Sequence, residues 1–283
     1  MKTGLVLEGG SFRGIYTAGV LDIFLDNNIE FDYVVGVSAG ACHGGSFISK
    51  QRGRAYATNT DYINDKRYIS FSNYFKTKSV FGMDFMFDEI PNKLYKFDMD
   101  TFGKSKTTFK IGATNVETGR PEYFNKEELL KDDKYTPLRA SISIPIYTPI
   151  VEYNGKKYLD GGTSDPIPVR KAFLDGCDKV IVVLTRDRSY VKTKEKGRFI
   201  YKRKLKEYPN MIKTMDERHN VYNDTLEYIR KMERDGKVLV ITPSVPLNIG
   251  RIERNAQKME QIYNIGMDDT KNKLEDIKKF ISE

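Results

Sequence analysis

The chain has only two cysteines and two histidines in 283 residues, and each scarcity removes a class of chemistry. Cys42 and Cys177 have neither redox-motif nor zinc-site spacing, so they are expected as reduced packing thiols of a cytoplasmic protein. No metal and no cofactor is expected. Histidine, the usual general base, is available only as His43 and His219, so base catalysis must use one of these or a carboxylate. Also missing is any apolar run of the ~18 residues that a membrane-spanning helix needs. The N-terminus, MKTGLVLEGGSFRG, lacks the long apolar stretch and small-residue cleavage site of a signal peptide. There is no internal repeat and no low-complexity tract.

What remains is the composition of a soluble globular protein, 39% apolar and 30% charged, with one substantial core and a small appendage. The expected division is 1–245 for the main domain and 246–283 for a C-terminal helical extension packed on it. The formal net charge of +8 is uneven, because ten lysines and arginines fall between Arg186 and Lys206. Only Asp187, Glu195 and the adjoining Glu207 oppose them. Such a cluster fits transient contact with an anionic membrane, or else a solvated face. Nucleic acid is not the expected partner.

Residues 3–8 (TGLVLE) form an apolar run ending in glycines, as a buried parallel strand does. Gly14 to about Asn28 suits a helix packed on a sheet. Phe31 to Val35 reads as a second strand, Ser38 as a turn, and Ala39 to Ser49 as a second helix. Strand–turn–helix twice in fifty residues points to an α/β fold with right-handed crossovers. Further strands are predicted at 108–114, 147–151, 156–159, 179–184 and 237–242. Further helices are predicted at 51–65, 84–96, 136–142, 166–175, 216–235 and 251–281. The aromatic segment from Tyr68 to Gly103 has no clean period and reads as an insertion over the top of the sheet.

Gly36-Val37-Ser38-Ala39-Gly40 is a G-x-S-x-G pentad. By chance it arises in roughly one chain in ten of this length, so its setting carries the argument. An apolar strand runs in and a small-residue helix runs out, which is the nucleophile elbow. A strained turn there exposes the serine hydroxyl at a helix N-terminus, and only glycine tolerates the close backbone crossings. Glu8 to Gly14 (EGGSFRG) joins the first strand to the first helix. As a dinucleotide loop it lacks a glycine at Ser11 and a well-placed ribose-binding acid, since Asp32 starts the second strand. It reads better as a cradle of backbone N–H groups that could hold an oxyanion, with Arg13 orienting it.

Two histidines and one carboxylate are the candidates to activate Ser38. His219 follows Asp160 in the chain order of an α/β-hydrolase, but in a polar helix start. His43 lies on the elbow helix and is expected to point away from the serine. Asp160, in Tyr158-Leu159-Asp160-Gly161-Gly162, ends a strand at a glycine turn, a position from which a carboxylate can reach an active site and act as base.

The glycine loop, the elbow and the D-G-G turn, in this order, resemble the patatin-like phospholipases. So do Ala113–Phe124, Arg139–Ile150 and Asp160–Val169, and the likeness runs from Met1 to Leu184. The resemblance implies a three-layer α/β/α fold with a mostly parallel central sheet and a helical C-terminal region. It implies a Ser38–Asp160 dyad without histidine, an oxyanion hole from Gly9, Gly10, Ser11, Arg13 and Gly14, and elbow glycines Gly36 and Gly40. The implied reaction is hydrolysis of lipid acyl esters. Ser11 stands where the family usually has a third glycine, so the hole is expected to form with Ser11 outside the positive-φ region. The alternatives are a His219-dependent esterase or thioesterase, and a non-catalytic lipid-binding module on the same fold.

Overall fold

A computed structural model describes residues 1–250 and 253–283. Its centre is an eight-stranded sheet ordered β5-β6-β3-β2-β1-β7-β8, with β4 on β3. The strands are β1 (Thr3–Leu7), β2 (Tyr33–Val37), β3 (Thr108–Asn115), β4 (Pro121–Asn125), β5 (Val151–Tyr153), β6 (Lys156–Asp160), β7 (Lys179–Val183) and β8 (Val238–Ile241). The run β3-β2-β1-β7-β8 is parallel, and β4, β5 and β6 are antiparallel.

The parallel strands β1, β2, β7 and β8 are almost wholly apolar because both faces are covered. Leu5, Leu7, Val34, Ile181 and Val183 face one core with α1 (Ile15–Asp26), α2 (Ala39–Ile48) and α11 (Ala256–Asn272). Val6, Val35, Val180, Val182 and Val240 face the other with α8 (Val169–Leu174) and α10 (Pro209–Arg234). That is the expected three-layer α/β/α arrangement, with period-two alternation sorting each strand's side chains between two cores. Within the 246–283 segment, α11 crosses α1 at two glycines. A Cβ on Gly19 would lie 2.2 Å from the Tyr263 carbonyl oxygen, and one on Gly266 2.2 Å from that of Tyr16. α12 (Leu274–Ser282) follows.

The chain departs from the sequence expectation where local signals are weak. The helix expected over 51–65 is only α3, Arg54–Thr60, entered through left-handed Gly53. The one expected over 84–96 winds as wide π-type turns, Phe85–Leu94, around Pro91, whose ring and missing N–H forbid an α-helical interior. α10 begins well before 216 at Pro209, whose fixed φ suits a first helical turn. The strand expected at 147–151 lies at Val151–Tyr153, and the helix expected over 251–281 is two helices. Arg251 and Ile252, where that expectation began, lie outside the described residues. The aromatic insertion carries α4 (Phe71–Thr77) and α5 (Met99–Lys104). It buries Tyr68, Phe81, Phe85, Phe87 and Phe102 in the first core while Phe71 and Phe75 remain exposed. α6 (Lys126–Leu130), α7 (Thr136–Ile142) and α9 (Arg198–Lys204) complete the chain. No described helix is long and apolar enough to cross a membrane.

Candidate active site

Ser38 lies between β2 and α2 with φ 55° and ψ −126°, a conformation that costs a non-glycine residue of order 1–3 kcal/mol. The surroundings hold it there. A Cβ on Gly36 would come within 2.6 Å of the Gly40 carbonyl, and one on Gly40 within 2.5 Å of the Leu7 carbonyl oxygen. Neither position admits a side chain, so the crossing stays tight. The Ser38 N–H donates to Ser141 Oγ at 2.8 Å, and Ser141 Oγ–H donates to the Gly112 carbonyl at 2.6 Å. Ser141, on α7, thereby ties the elbow to β3. Sequence reasoning assigned it no role, although it sits in the family-like segment Arg139–Ile150.

The sheet register brings Asp160 to this point. β3 pairs with β4 along one edge, through Lys110–Thr114. Its other edge takes β2 up to Gly112, opposite Val37, and then β6 from Ala113, opposite Asp160. The end of parallel β2 and the end of antiparallel β6 therefore abut on adjacent residues of β3. Ser38 Oγ–H donates to Asp160 Oδ2 at 2.6 Å, and the Gly162 N–H donates to Oδ1 at 2.7 Å. The Asp160 N–H donates to the Ser143 carbonyl and its carbonyl accepts from Thr114 Oγ1. Both Ser38 and Asp160 are buried.

Neither histidine touches this pair. His219 turns its Nδ1 to the Asp216 carbonyl at 3.1 Å and lines a separate surface depression with Lys194 and Arg198. His43 does not point away as expected. It is buried along the cavity that Ser38 borders, within 3.0 Å of where a Cβ on Gly14 would stand. Burial, reinforced by the nearby Arg54 charge, pushes its pKa down to about 4, so it is neutral at pH 7. Cys42, on the same wall, is a free thiol pushed up to about 12 by burial, and Cys177 is free and buried.

The glycine loop is anchored from below by Glu8, a second residue the motifs did not single out. Its buried carboxylate accepts the Thr185 N–H at 2.5 Å and the Tyr222 hydroxyl at 2.8 Å, linking the loop to α10. Gly9 donates its N–H to the Pro166 carbonyl. Gly10 has no room for a side chain, since a Cβ would meet Thr185 Oγ1 at 2.8 Å. Ser11 departs from the expectation: it sits at φ 49°. The helical turn that follows demands this left-handed residue, and a serine meets it at a cost a glycine would not incur. Arg13 faces the cleft with its Nε buried and without a hydrogen-bond partner among the described residues. Burial, then the charge of Arg186, holds its pKa below the ordinary value while Glu8 opposes the shift.

Ser38 borders two spaces. One is an apolar cavity of about 130 Å³ walled by Phe12, Tyr68, Met86, Phe87, Ile90 and Leu138. The other is a polar cleft of about 660 Å³ that contains Asp160, Arg13, Arg186, Lys192, Lys194 and Arg218. Ser38 thus stands between an apolar pocket and a polar cleft in which basic side chains outnumber acidic ones.

Residues 5–173 match the family of patatin-like phospholipases, and residues 208–282 match a domain of unknown function, DUF6363. Over 274 residues the chain is 28% identical to the uncharacterized protein YjjU of Escherichia coli K12, covering 94% of this chain and 75% of YjjU. It is 28% identical over 190 residues to the lysophospholipase nte1 of Aspergillus fumigatus, covering 64% of this chain and 12% of that protein. Against the Candida glabrata lysophospholipase NTE1 it is 25% identical over 285 residues, covering 94% of this chain and 16% of that one. The chain thus spans three quarters of the bacterial relative and a small part of the fungal ones. Among solved structures, VipD from Legionella pneumophila aligns with a TM-score of 0.49 at 14% identity, covering 97% of this chain and 67% of VipD. The chain belongs to the patatin-like phospholipase family, and by that membership it is a lipid ester hydrolase.

Proposed function

We propose that the protein hydrolyses fatty-acyl esters through an acyl-serine intermediate, with Ser38 as nucleophile and Asp160 as its base. The observation that carries this reading is the 2.6 Å hydrogen bond from Ser38 Oγ to Asp160 Oδ2, with no histidine in contact with either residue among those described. Asp160 takes the hydroxyl proton as Oγ attacks the ester carbonyl, then gives it to the departing alcohol. A water molecule then attacks the acyl-serine as Asp160 takes its proton, and Asp160 returns that proton to Ser38 Oγ as the bond to the acyl carbon breaks and the fatty acid leaves. Gly162, fixed on Oδ1, keeps Oδ2 turned to the serine. Amides near Gly10 and Ser11 would receive the oxyanion, whereas Gly9 gives its own N–H to Pro166. Arg13 supports that loop from the cleft side. The fungal relatives named lysophospholipases favour phospholipid or lysophospholipid esters as substrates.

The test is a hydrolysis screen over p-nitrophenyl esters and lysophospholipids, with a fluorophosphonate probe to report the nucleophile. Labelling at Ser38 and ester turnover are expected. Absence of both would overturn the reading. His219→Ala should keep activity within about tenfold of wild type, because a general base supplies ~10²–10⁴. A collapse in that variant, with the fold intact, would transfer the base role to histidine.

The same reading gives the basic segment a task, docking on anionic bilayers. Arg188, Lys192 and Arg198 are paired with Glu233, Glu195 and Asp216, so the charge available to a surface lies mainly beyond them. α9 exposes Phe199 and Ile200, and α4 exposes Phe71 and Phe75. Lys204 Nζ joins the two helices, donating to Tyr74 Oη at 3.2 Å and to the Ile146 carbonyl at 3.0 Å. Each basic residue near an anionic membrane is worth about 1 kcal/mol. Replacing Lys202, Arg203 and Lys206 with glutamine should therefore weaken vesicle binding by roughly a hundredfold. Turnover of a soluble short-chain ester should be unchanged. Equal loss on vesicle lipid and soluble ester would mean that the segment supports the fold instead.

A further inference from the structure

The apolar cavity contains one group that an ordinary acyl chain does not call for. Arg54, at the start of α3, is 8% exposed and lines the cavity together with Ser38. Its Nη1 donates to Ser46 Oγ at 3.1 Å and its Nη2 to the Tyr95 carbonyl at 3.3 Å. Nε is buried with no hydrogen-bond partner among the described residues. The guanidinium carbon stands 5.0 Å from the centre of the Phe97 ring, another wall of the cavity.

Among the described residues no carboxylate pairs with it. The groups whose electrostatics favour its charge are Tyr135, Cys42 and Tyr95, and burial outweighs them, holding its pKa below the ordinary arginine value. The neighbouring histidine, His43, is neutral at pH 7 and so adds no second positive charge beside it. Burying a cation without an anion is costly, and folding has already met that cost. A ligand carboxylate arriving here would lose only its own hydration and would meet a desolvated, five-donor fork.

We propose that this cavity takes medium-length acyl chains that end in a carboxylate, bound by Arg54, so that the preferred acyl group is that of a dicarboxylic acid half-ester. The proposal rests on the acyl-serine reading above and specifies its substrate. The reach is set by α2. Arg54 is coupled to Cys42 and bonded to Ser46, which are four and eight residues past Ser38, or ~6 and ~12 Å along the helix axis at 1.5 Å per residue. With carbon–carbon bonds of ~1.5 Å, a chain of medium length spans that interval from the serine ester to the guanidinium. Thr58 and Asn59, half-buried and one turn further along α3, also line the cavity and add polar groups to it.

The experiment compares the mono-p-nitrophenyl ester of octanedioic acid with p-nitrophenyl octanoate, in wild type and in Arg54→Met, which keeps an unbranched side chain without the charge. Wild type should favour the carboxylated ester in kcat/KM by about tenfold to a hundredfold, the range a charge-assisted hydrogen bond supplies, and Arg54→Met should reverse the preference. The ratio is internal to each variant, so partial loss of folded protein does not alter it. No preference in wild type, or the same ratio in Arg54→Met, would overturn the proposal. A second readout is independent of turnover: octanedioate should raise the melting temperature of wild type more than octanoate does, and this difference should vanish in Arg54→Met. Were no ester hydrolysed, the proposed function would fail and the melting shift alone would decide the anion site.

Discussion

Ser38→Ala should lower kcat by at least ~10³-fold while leaving the melting temperature nearly unchanged. The rate loss follows from removing the atom that forms the acyl intermediate; the remaining catalysis comes from binding and from whatever donors face the carbonyl. The stability expectation follows from the site. Alanine keeps the Cβ, so it inherits the same positive-φ cost at φ 55°. The main-chain N–H still donates to Ser141 Oγ, and only the hydroxyl is lost. That loss leaves Asp160 without its 2.6 Å donor, while Gly162 still holds the other oxygen. Purified variant and wild type are to be compared on a short-chain p-nitrophenyl ester and by thermal unfolding. Near wild-type turnover by the alanine variant would remove Ser38 from the mechanism.

Asp160→Asn should be as damaging as Ser38→Ala, and the double variant no worse than either. Asparagine preserves size and can still accept from Ser38 or Gly162 through its carbonyl oxygen, so the geometry around β6 persists. What it cannot do is take a proton. Groups that act as one unit lose their contribution together, so the two losses should not multiply. Measured kcat values for the two single variants and the double variant provide the check. A double variant slower by the product of the two factors would mean that Asp160 and Ser38 work independently. Retention of most activity by Asp160→Asn would exclude the carboxylate as base. Paired with an active His219→Ala, a dead Asp160→Asn distinguishes a two-residue mechanism from one that relies on histidine.

Much of the molecule was written locally in the chain. Apolar runs ending in glycine announced β1 and β2, because a strand buried on both faces must be apolar throughout and the glycines beyond it make room for crossings. The elbow was legible as well: a Cβ on Gly36 would strike the Gly40 carbonyl within the same five residues, although what excludes a Cβ on Gly40 is the Leu7 carbonyl of the neighbouring strand. Other elements had no such local signature. β4 begins at a proline and carries a polar edge, and it exists because β3 offers it a free side. Wide turns over Phe85–Leu94 replace an α-helix because Pro91 interrupts it within an otherwise helix-like pattern.

The pairing of Ser38 with Asp160 belonged to neither residue's neighbourhood. The two are 122 positions apart, and their contact depends on β6 running antiparallel and joining β3 where β2 stops. Ser141, Glu8 and Arg54 likewise read as ordinary polar residues in the chain. Their roles came from burial against partners far away: Gly112, Tyr222 and the cavity wall. The sequence by itself determined the five parallel strands, the strained turn and the family motifs, since these rest on steric and periodic rules within a few residues. The family likeness named Asp160, but only the tertiary structure gave the physical reason that this carboxylate meets the serine, why neither histidine does, and where the buried Arg54 stands, because those depend on strand order and burial that no local pattern encodes.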